Sequence, residues 1–318
     1  MTQDFALHSG SSTSPVQHRI ATNGIELDYL GRGEGAPLLM LHGFPDHAAS
    51  WRPLAERLGR GIRQLVPDQR GYRGSSRPSA VRDYTIDILV RDLLGLIDAL
   101  ELERVHLCGH DWGGVLAFAL AERFPERIAG LIVLNAPPAC IFQHLILHDA
   151  QQRVASQYIT MLRSEAADSI FCEAQADALI ERFLGDATRR GLLTSADLEV
   201  YRDAWTQAGA WSAMRAWYRA APFEIPPVGG LPAIDADAAP PALPIACPVL
   251  IIWGERDTVF VPTMPDMIAN ACPQARVIRL PEAGHVPHRD APALCADLIR
   301  DFIFASSAAS LDKDQYHG

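Results

Sequence analysis

Three short segments carry side chains whose types and order can do nucleophilic chemistry. In Val105-His106-Leu107-Cys108-Gly109-His110-Asp111-Trp112-Gly113-Gly114 an aspartate follows an apolar β-type run and precedes a helical pattern from Val115. Glycines on both sides of Asp111 permit a tight strand-to-helix turn that lifts this side chain above a sheet, and the new helix aims its free N–H groups at the same point. A carboxylate is already ionised at neutral pH. It can therefore displace a leaving group from saturated carbon and become an alkyl ester, which points away from peptidase and carboxylesterase chemistry. That ester must then be hydrolysed. Asp257, in Trp253-Gly254-Glu255-Arg256-Asp257, and His285, in Ala283-Gly284-His285, each stand just past an apolar run. Their order is nucleophile, acid, histidine. Asp257 would hold His285 in the tautomer that takes a proton from water. The oxyanion of this second step needs donors, and the backbone N–H groups of Phe44, in His42-Gly43-Phe44-Pro45-Asp46, and of Trp112 are placed to supply them.

Such residues need a scaffold that brings strand ends together. Short β-branched runs at 38–41, 63–66, 105–108, 131–134, 249–253 and 277–280 alternate with helix-length amphipathic stretches such as 84–100 and 115–124. The alternation predicts an α/β fold, a mostly parallel sheet flanked by helices on both faces. It stops after Ala136-Pro137-Pro138, where about 85 residues, 149–163 and 174–183 among them, carry helical patterns and no strand-like run. A stretch crowded by Pro222, Pro226, Pro227, Pro232, Pro240, Pro241, Pro244 and Pro248 follows, before strand signal resumes at Val249. The division expected is a core of 16–137 and 245–306, interrupted by a helical cap and Pro-rich return linker over 138–244. Leaving from strand ends, the cap should cover the ligand crevice. The tails 1–15 and 307–318 are expected to be disordered.

The chain has 318 residues, 48% hydrophobic and 21% charged, an ordinary globular balance with enough length for a large core. Twenty-eight Lys and Arg against 38 Asp and Glu give a net charge of -10, which argues against a nucleic-acid partner. Residues 1–15 lack an apolar signal segment, and no apolar run approaches the ~20 residues of a membrane span. Six scattered cysteines without a CxxC read as reduced thiols. The expectation is a cytoplasmic protein with no cofactor and no metal.

Five ordered motifs, HGFPD at 42–46, DQRGY at 68–72, GHDWGG at 109–114, WGERD at 253–257 and AGH at 283–285, together resemble the α/β-hydrolase family. Within it they are similar to the epoxide hydrolases and their relatives the haloalkane dehalogenases. The resemblance covers roughly residues 16–306 and implies the α/β-hydrolase fold with an inserted helical cap. Epoxide hydrolases use two cap tyrosines to hold the epoxide oxygen, and the matching positions are Tyr158, in Ser156-Gln157-Tyr158-Ile159, and Tyr218, in Ala216-Trp217-Tyr218-Arg219. An opening epoxide leaves an alkoxide, which suits a phenol, whereas a departing halide needs only N–H donors. Haloalkane dehalogenases commonly carry Asn in place of Phe44, and fluoroacetate dehalogenases carry Arg in place of Trp112. The resemblance therefore implies an epoxide hydrolase that turns a small apolar epoxide and water into a vicinal diol through an Asp111 ester. A haloalkane or haloacid dehalogenase on the same scaffold is one alternative, and a non-catalytic ligand receptor of this fold is another. Many relatives have Gly where this chain has Arg73.

Each of these residues also has a plainer reading. Asp111 could be a helix N-cap. Tyr158 shares a helical face with Val154, Met161 and Glu165, and Tyr218 with Trp211 and Met214, so both could be core tyrosines. Tyr201, between them, competes for the same role. His110 is expected to pack behind the turn and His42, Asp46 and Asp68 to fix loops, while His144, His148 and His288 are taken as surface or cap residues.

Overall fold

Alternation along each strand decides which helical layer it feeds. A computed structural model describes residues 14–229 and 240–314, with side chains as far as 306. One sheet contains β1 (Val16–Thr22), β2 (Ile25–Arg32), β3 (Gly35–Leu41), β4 (Gly61–Pro67), β5 (Val105–His110), β6 (Ile128–Leu134), β7 (Val249–Gly254) and β8 (Ala275–Leu280). Their spatial order is β1-β2-β4-β3-β5-β6-β7-β8. Every pair from β4 to β8 is parallel, while β1/β2 and β2/β4 are antiparallel.

Helices α1 (Arg52–Ala55), α2 (Ile86–Ala99) and α3 (Trp112–Arg123) follow the early strands. Six more lie between β6 and β7: α4 (Ala139–His148), α5 (Ala150–Ala155), α6 (Gln157–Arg163), α7 (Ala176–Arg189), α8 (Ser195–Trp205) and α9 (Ala210–Ala220). The chain ends with α10 (Met264–Ala271), α11 (Pro287–Asp290) and α12 (Pro292–Asp314). Leu39, Leu41, Leu131, Val133 and Ile251 pack with Leu89 and Leu93 of α2 and Leu116 and Leu120 of α3. The intervening Leu38, Met40, Ile132, Leu134, Leu250 and Ile252 pack on the other face with Trp51, Leu54, Ile299 and Ile303. Burial on both faces is why these strands are continuous apolar runs, with each fully buried Leu or Ile contributing about 1.5–3 kcal/mol.

The β1/β2 hairpin was not among the strands expected from the sequence. Most of β1 is exposed and polar, as befits an edge strand. Asn23 and Gly24 both have positive φ, 44° and 75°, between the paired Thr22 and Ile25. That is the two-residue Asn-Gly turn whose twist matches a hairpin. At the other end, α12 continues to Asp314, into the segment expected to be a disordered tail. Ser306-Ser307-Ala308-Ala309-Ser310-Leu311 holds no Gly or Pro to stop a helix already anchored by Cys295, Ala296, Ile299 and Ile303. Residues 1–13, 230–239 in the Pro-rich return and 315–318 lie outside those described. Among the described residues no helix is long and apolar enough to cross a membrane.

Candidate active site

The parallel topology carries the carboxyl ends of β3, β5, β6, β7 and β8 to one rim of the sheet, the rim from which the six-helix insertion leaves after Pro138. Asp111 sits between β5 and α3 with φ 50° and ψ -122°. A non-glycine residue there carries about 1–3 kcal/mol of backbone strain, held by the packed strand and helix on either side. The bend is possible because a Cβ on Gly113 would strike the Leu41 carbonyl, and one on Gly43 would strike the Asp111 carboxylate. The Asp111 Oδ1 accepts the Phe44 N–H at 2.8 Å. Trp112 opens α3, so its N–H is one of the first-turn donors without an intrahelical partner.

His285 connects two carboxylates. Its Nδ1 is 2.9 Å from Asp257 Oδ2, and its Nε2 is 3.7 Å from Asp111 Oδ2, an ion-pair separation rather than a formed hydrogen bond. Since Asp257 only accepts, Nδ1 carries a proton. Burial opposes a charge on this imidazole, but the Asp257 and Asp111 carboxylates outweigh it and raise the His285 pKa to about 10. Burial likewise opposes ionisation of Asp111 and Asp257, and the His285 imidazolium overcomes it, leaving both below the usual carboxylate value. The resting site thus holds a cation between two anions.

The acid is supported by residues the sequence reading missed. Asn135 Nδ2 donates to Asp257 Oδ2 at 2.7 Å and to the Gly254 carbonyl at 3.1 Å, while its Oδ1 accepts the Gly254 N–H at 2.7 Å. Asp257 Oδ1 accepts the N–H groups of Val259 at 2.6 Å and Phe260 at 3.2 Å. A positive φ at Asn135, 37°, is the one local trace of its role.

Tyr158 on α6 and Tyr218 on α9 line the same cavity as Asp111 and Trp112. Their rings meet edge to face at 5.9 Å, and Tyr218 also packs against Phe44 at 5.1 Å and Trp112 at 5.3 Å. Burial first, and then the neighbouring Asp111 charge, raise both phenol pKa values, so the hydroxyls stay protonated and can donate. The remaining walls are Phe142, Phe223, Phe260, Ile159, Val115 and Pro137, and the free volume is about 20 Å³, room for about one water. Larger open hollows, 470 Å³ against residues 21–26 and 390 Å³ beside Asp87, Arg91 and Arg123, contain none of these groups.

Tyr201 is directed elsewhere. Its hydroxyl donates to Asp46, whose Oδ1 also accepts from Arg289 at 2.8 Å. His288, expected at the surface or on the cap, is instead fully buried and stacks on Trp51 at 4.1 Å. Its short helix α11 is packed under α12, so an isolated polar residue in a loop-like sequence ends up inside. Asp46, His110 and His288 present atoms within 4.8 Å of one another, but Asp46 is already paired with Arg289. His110 donates from Nε2 to the His285 carbonyl at 2.8 Å. His42 accepts the Gln69 N–H at Nε2, 3.1 Å, which leaves Nδ1 to donate to the Gly43 carbonyl at 3.0 Å. Asp68 accepts the Ala48 N–H at 2.8 Å. Arg73 has φ 39°, a backbone that glycine adopts without strain.

The sequence profile of the alpha/beta hydrolase fold matches residues 36–292. Among similar proteins, the AB hydrolase superfamily protein YfhM of Bacillus subtilis is 32% identical over 291 residues, 89% of this chain and 96% of its own length. Epoxide hydrolase 3 of Xenopus tropicalis is 31% identical over 305 residues, 92% of this chain and 79% of its own. A crystal structure of Bacillus megaterium epoxide hydrolase in complex with an inhibitor superposes with a TM-score of 0.80 at 29% identity, covering 90% of this chain and 99% of that one.

Proposed function

This chain belongs to the alpha/beta hydrolase fold family, and on that premise we propose that it is an epoxide hydrolase, converting a small apolar epoxide and water to a vicinal diol. One observation carries the proposal: a carboxylate, not a hydroxyl, occupies the strained bend, and two phenols line the same apolar cavity. Tyr158 and Tyr218 hold the epoxide oxygen once the cavity, about 20 Å³ as it stands, widens to admit the substrate. Asp111 attacks a ring carbon, the carbon–oxygen bond breaks, and the alkoxide takes a proton from one phenol to give a hydroxyalkyl ester of Asp111.

Esterification also removes one of the two anions that keep His285 protonated. Its proton can then return to the tyrosinate, leaving a neutral imidazole oriented by Asp257. That imidazole takes a proton from water as the hydroxide attacks the ester carbonyl, and the N–H groups of Phe44 and Trp112 stabilise the oxyanion. Collapse expels the diol, which leaves with the second proton of that water. Asp111 returns as a carboxylate beside a protonated His285, and the proton count closes.

Incubating His285→Gln with a reactive epoxide tests the proposal. The expected product is protein heavier by one whole substrate, with the added mass on Asp111 and retained. An unmodified Asp111 would count against it.

A further inference from the structure

Gln152 belongs to the cap helix α5, yet its side chain is spent on the core. It is fully buried. Its Oε1 accepts the Val261 N–H at 3.0 Å and its Nε2 donates to the Val259 carbonyl at 3.1 Å. One carboxamide therefore grips the backbone groups on both sides of Phe260. The Nε2 also lies 3.1 Å from Ser156 Oγ, and Asp149 caps the helix by accepting the Gln152 N–H at 2.8 Å. A flipped amide would set donor against donor and acceptor against acceptor, so the orientation is fixed.

The gripped segment is the one whose N–H groups hold the acid. Val259 and Phe260 both donate to Asp257 Oδ1, and Asp257 Oδ2 bonds His285. The Phe260 ring stands 5.5 Å from the His285 imidazole and 5.6 Å from Phe142 of α4, so imidazole, loop and cap pack as one unit. Tyr158 follows Gln152 on the next short helix. The cap segment that carries a phenol to the cavity thus also braces the carboxylate that orients the base.

We infer that Gln152 is a positioning residue for the second half-reaction: by fixing the peptide groups around Phe260 it keeps Asp257 aligned with His285, and so couples cap docking to a competent base. The inference rests on the ester mechanism proposed above. An amide that merely fastened cap to core would affect both half-reactions alike, whereas one acting through Asp257 affects chiefly hydrolysis of the ester.

Two variants of the full chain separate these cases. Gln152→Asn keeps the amide but is one methylene too short to span both partners, and Gln152→Met keeps the length while losing both the acceptor for Val261 and the donor to Val259. In rapid-quench experiments with styrene oxide, ester hydrolysis should slow by about 10- to 100-fold, the range that a small misplacement produces. Alkylation of Asp111 should be nearly unchanged, so that the ester accumulates. An NMR titration of His285 in the free protein, which needs no substrate, should move to lower pH in both variants. Half-reactions that slow in step, or a His285 titration unchanged from wild type, would overturn the inference. If wild type forms no ester with any epoxide, the functional proposal fails by itself, and the His285 titration still decides the positioning role.

Discussion

Replacing the phenols of α6 and α9 with phenylalanine separates chemistry from packing. Tyr158→Phe and Tyr218→Phe remove only an oxygen, and the ring contacts among Tyr158, Tyr218, Phe44 and Trp112 survive. Each hydroxyl is desolvated and protonated, so each is a preorganised donor to an oxygen that becomes an alkoxide. Losing one donor of such a pair typically costs about 10²- to 10³-fold, or about 2.7–4 kcal/mol. With the second phenol still in place, each single variant should slow alkylation by about that 10²- to 10³-fold, and the double variant by at least about 10³-fold. Stability should fall by no more than about 1–3 kcal/mol per variant, the cost of leaving the partner of each hydroxyl, Tyr218 for Tyr158 and Trp112 for Tyr218, unpaired beside the cavity. Rapid-quench measurement of Asp111 alkylation by an epoxide, beside urea denaturation, supplies both numbers. Hydrolysis of an ester already formed should be nearly unchanged. The reasoning is refuted if the double variant alkylates at the wild-type rate, or if it loses epoxide turnover only in proportion to lost stability. Halide release from small haloalkanes that survives the double substitution would indicate a dehalogenase.

Two further outcomes follow from buried charges. Burial lowers the pKa of His42 and His110 to about 4 and of His47 to about 3, so below pH ~6.5 the unfolded chain binds protons that the native protein refuses. The stability that these groups contribute is full above that pH and falls on acidification, and the buried His106, lowered to about 4, and His288, lowered well below its usual value, add to the fall; Asp68, raised to about 6 by burial, and His285, raised to about 10, work in the opposite sense, leaving a net loss of several kcal/mol from pH 7 to 5 in denaturant titrations. A flat profile over that range would contradict it. Arg289→Met strands the buried Asp46 and should cost about 3–5 kcal/mol, while adding Asp46→Leu should recover much of that loss; a double variant no more stable than the single one would refute the pairing argument.

What could be read from the sequence was local. The bend at Asp111 is encoded within six residues, by Gly109, Gly113 and Gly114 around one carboxylate, and five of the six parallel strands announce themselves as runs buried on both faces, while β8, at the sheet edge, is only partly buried. The supporting contacts are not local. Asn135 meets Gly254 across 119 residues, Gln152 meets Val259 across 107, and Arg289 meets Asp46 across 243. No spacing rule connects such pairs, and a polar residue that will be buried with its partners looks in sequence like any surface polar residue. His288 was misplaced for this reason. The β1/β2 hairpin hides for a different reason: its Asn23-Gly24 signal is present, but β1 is an exposed edge strand and β2 alternates Ile25, Leu27 and Tyr29 with Glu26 and Asp28, so neither presents a continuous apolar run.

The measurement that bears most directly on the mechanism is one turnover in heavy-oxygen water with enzyme in excess over epoxide. If Asp111 forms an ester that water cleaves at its carbonyl, the first diol carries an unlabelled enzyme oxygen, and the peptide containing Asp111 gains one heavy oxygen. Label appearing in the first diol with none in that peptide would mean that water attacks the epoxide directly and that Asp111 never bonds to carbon.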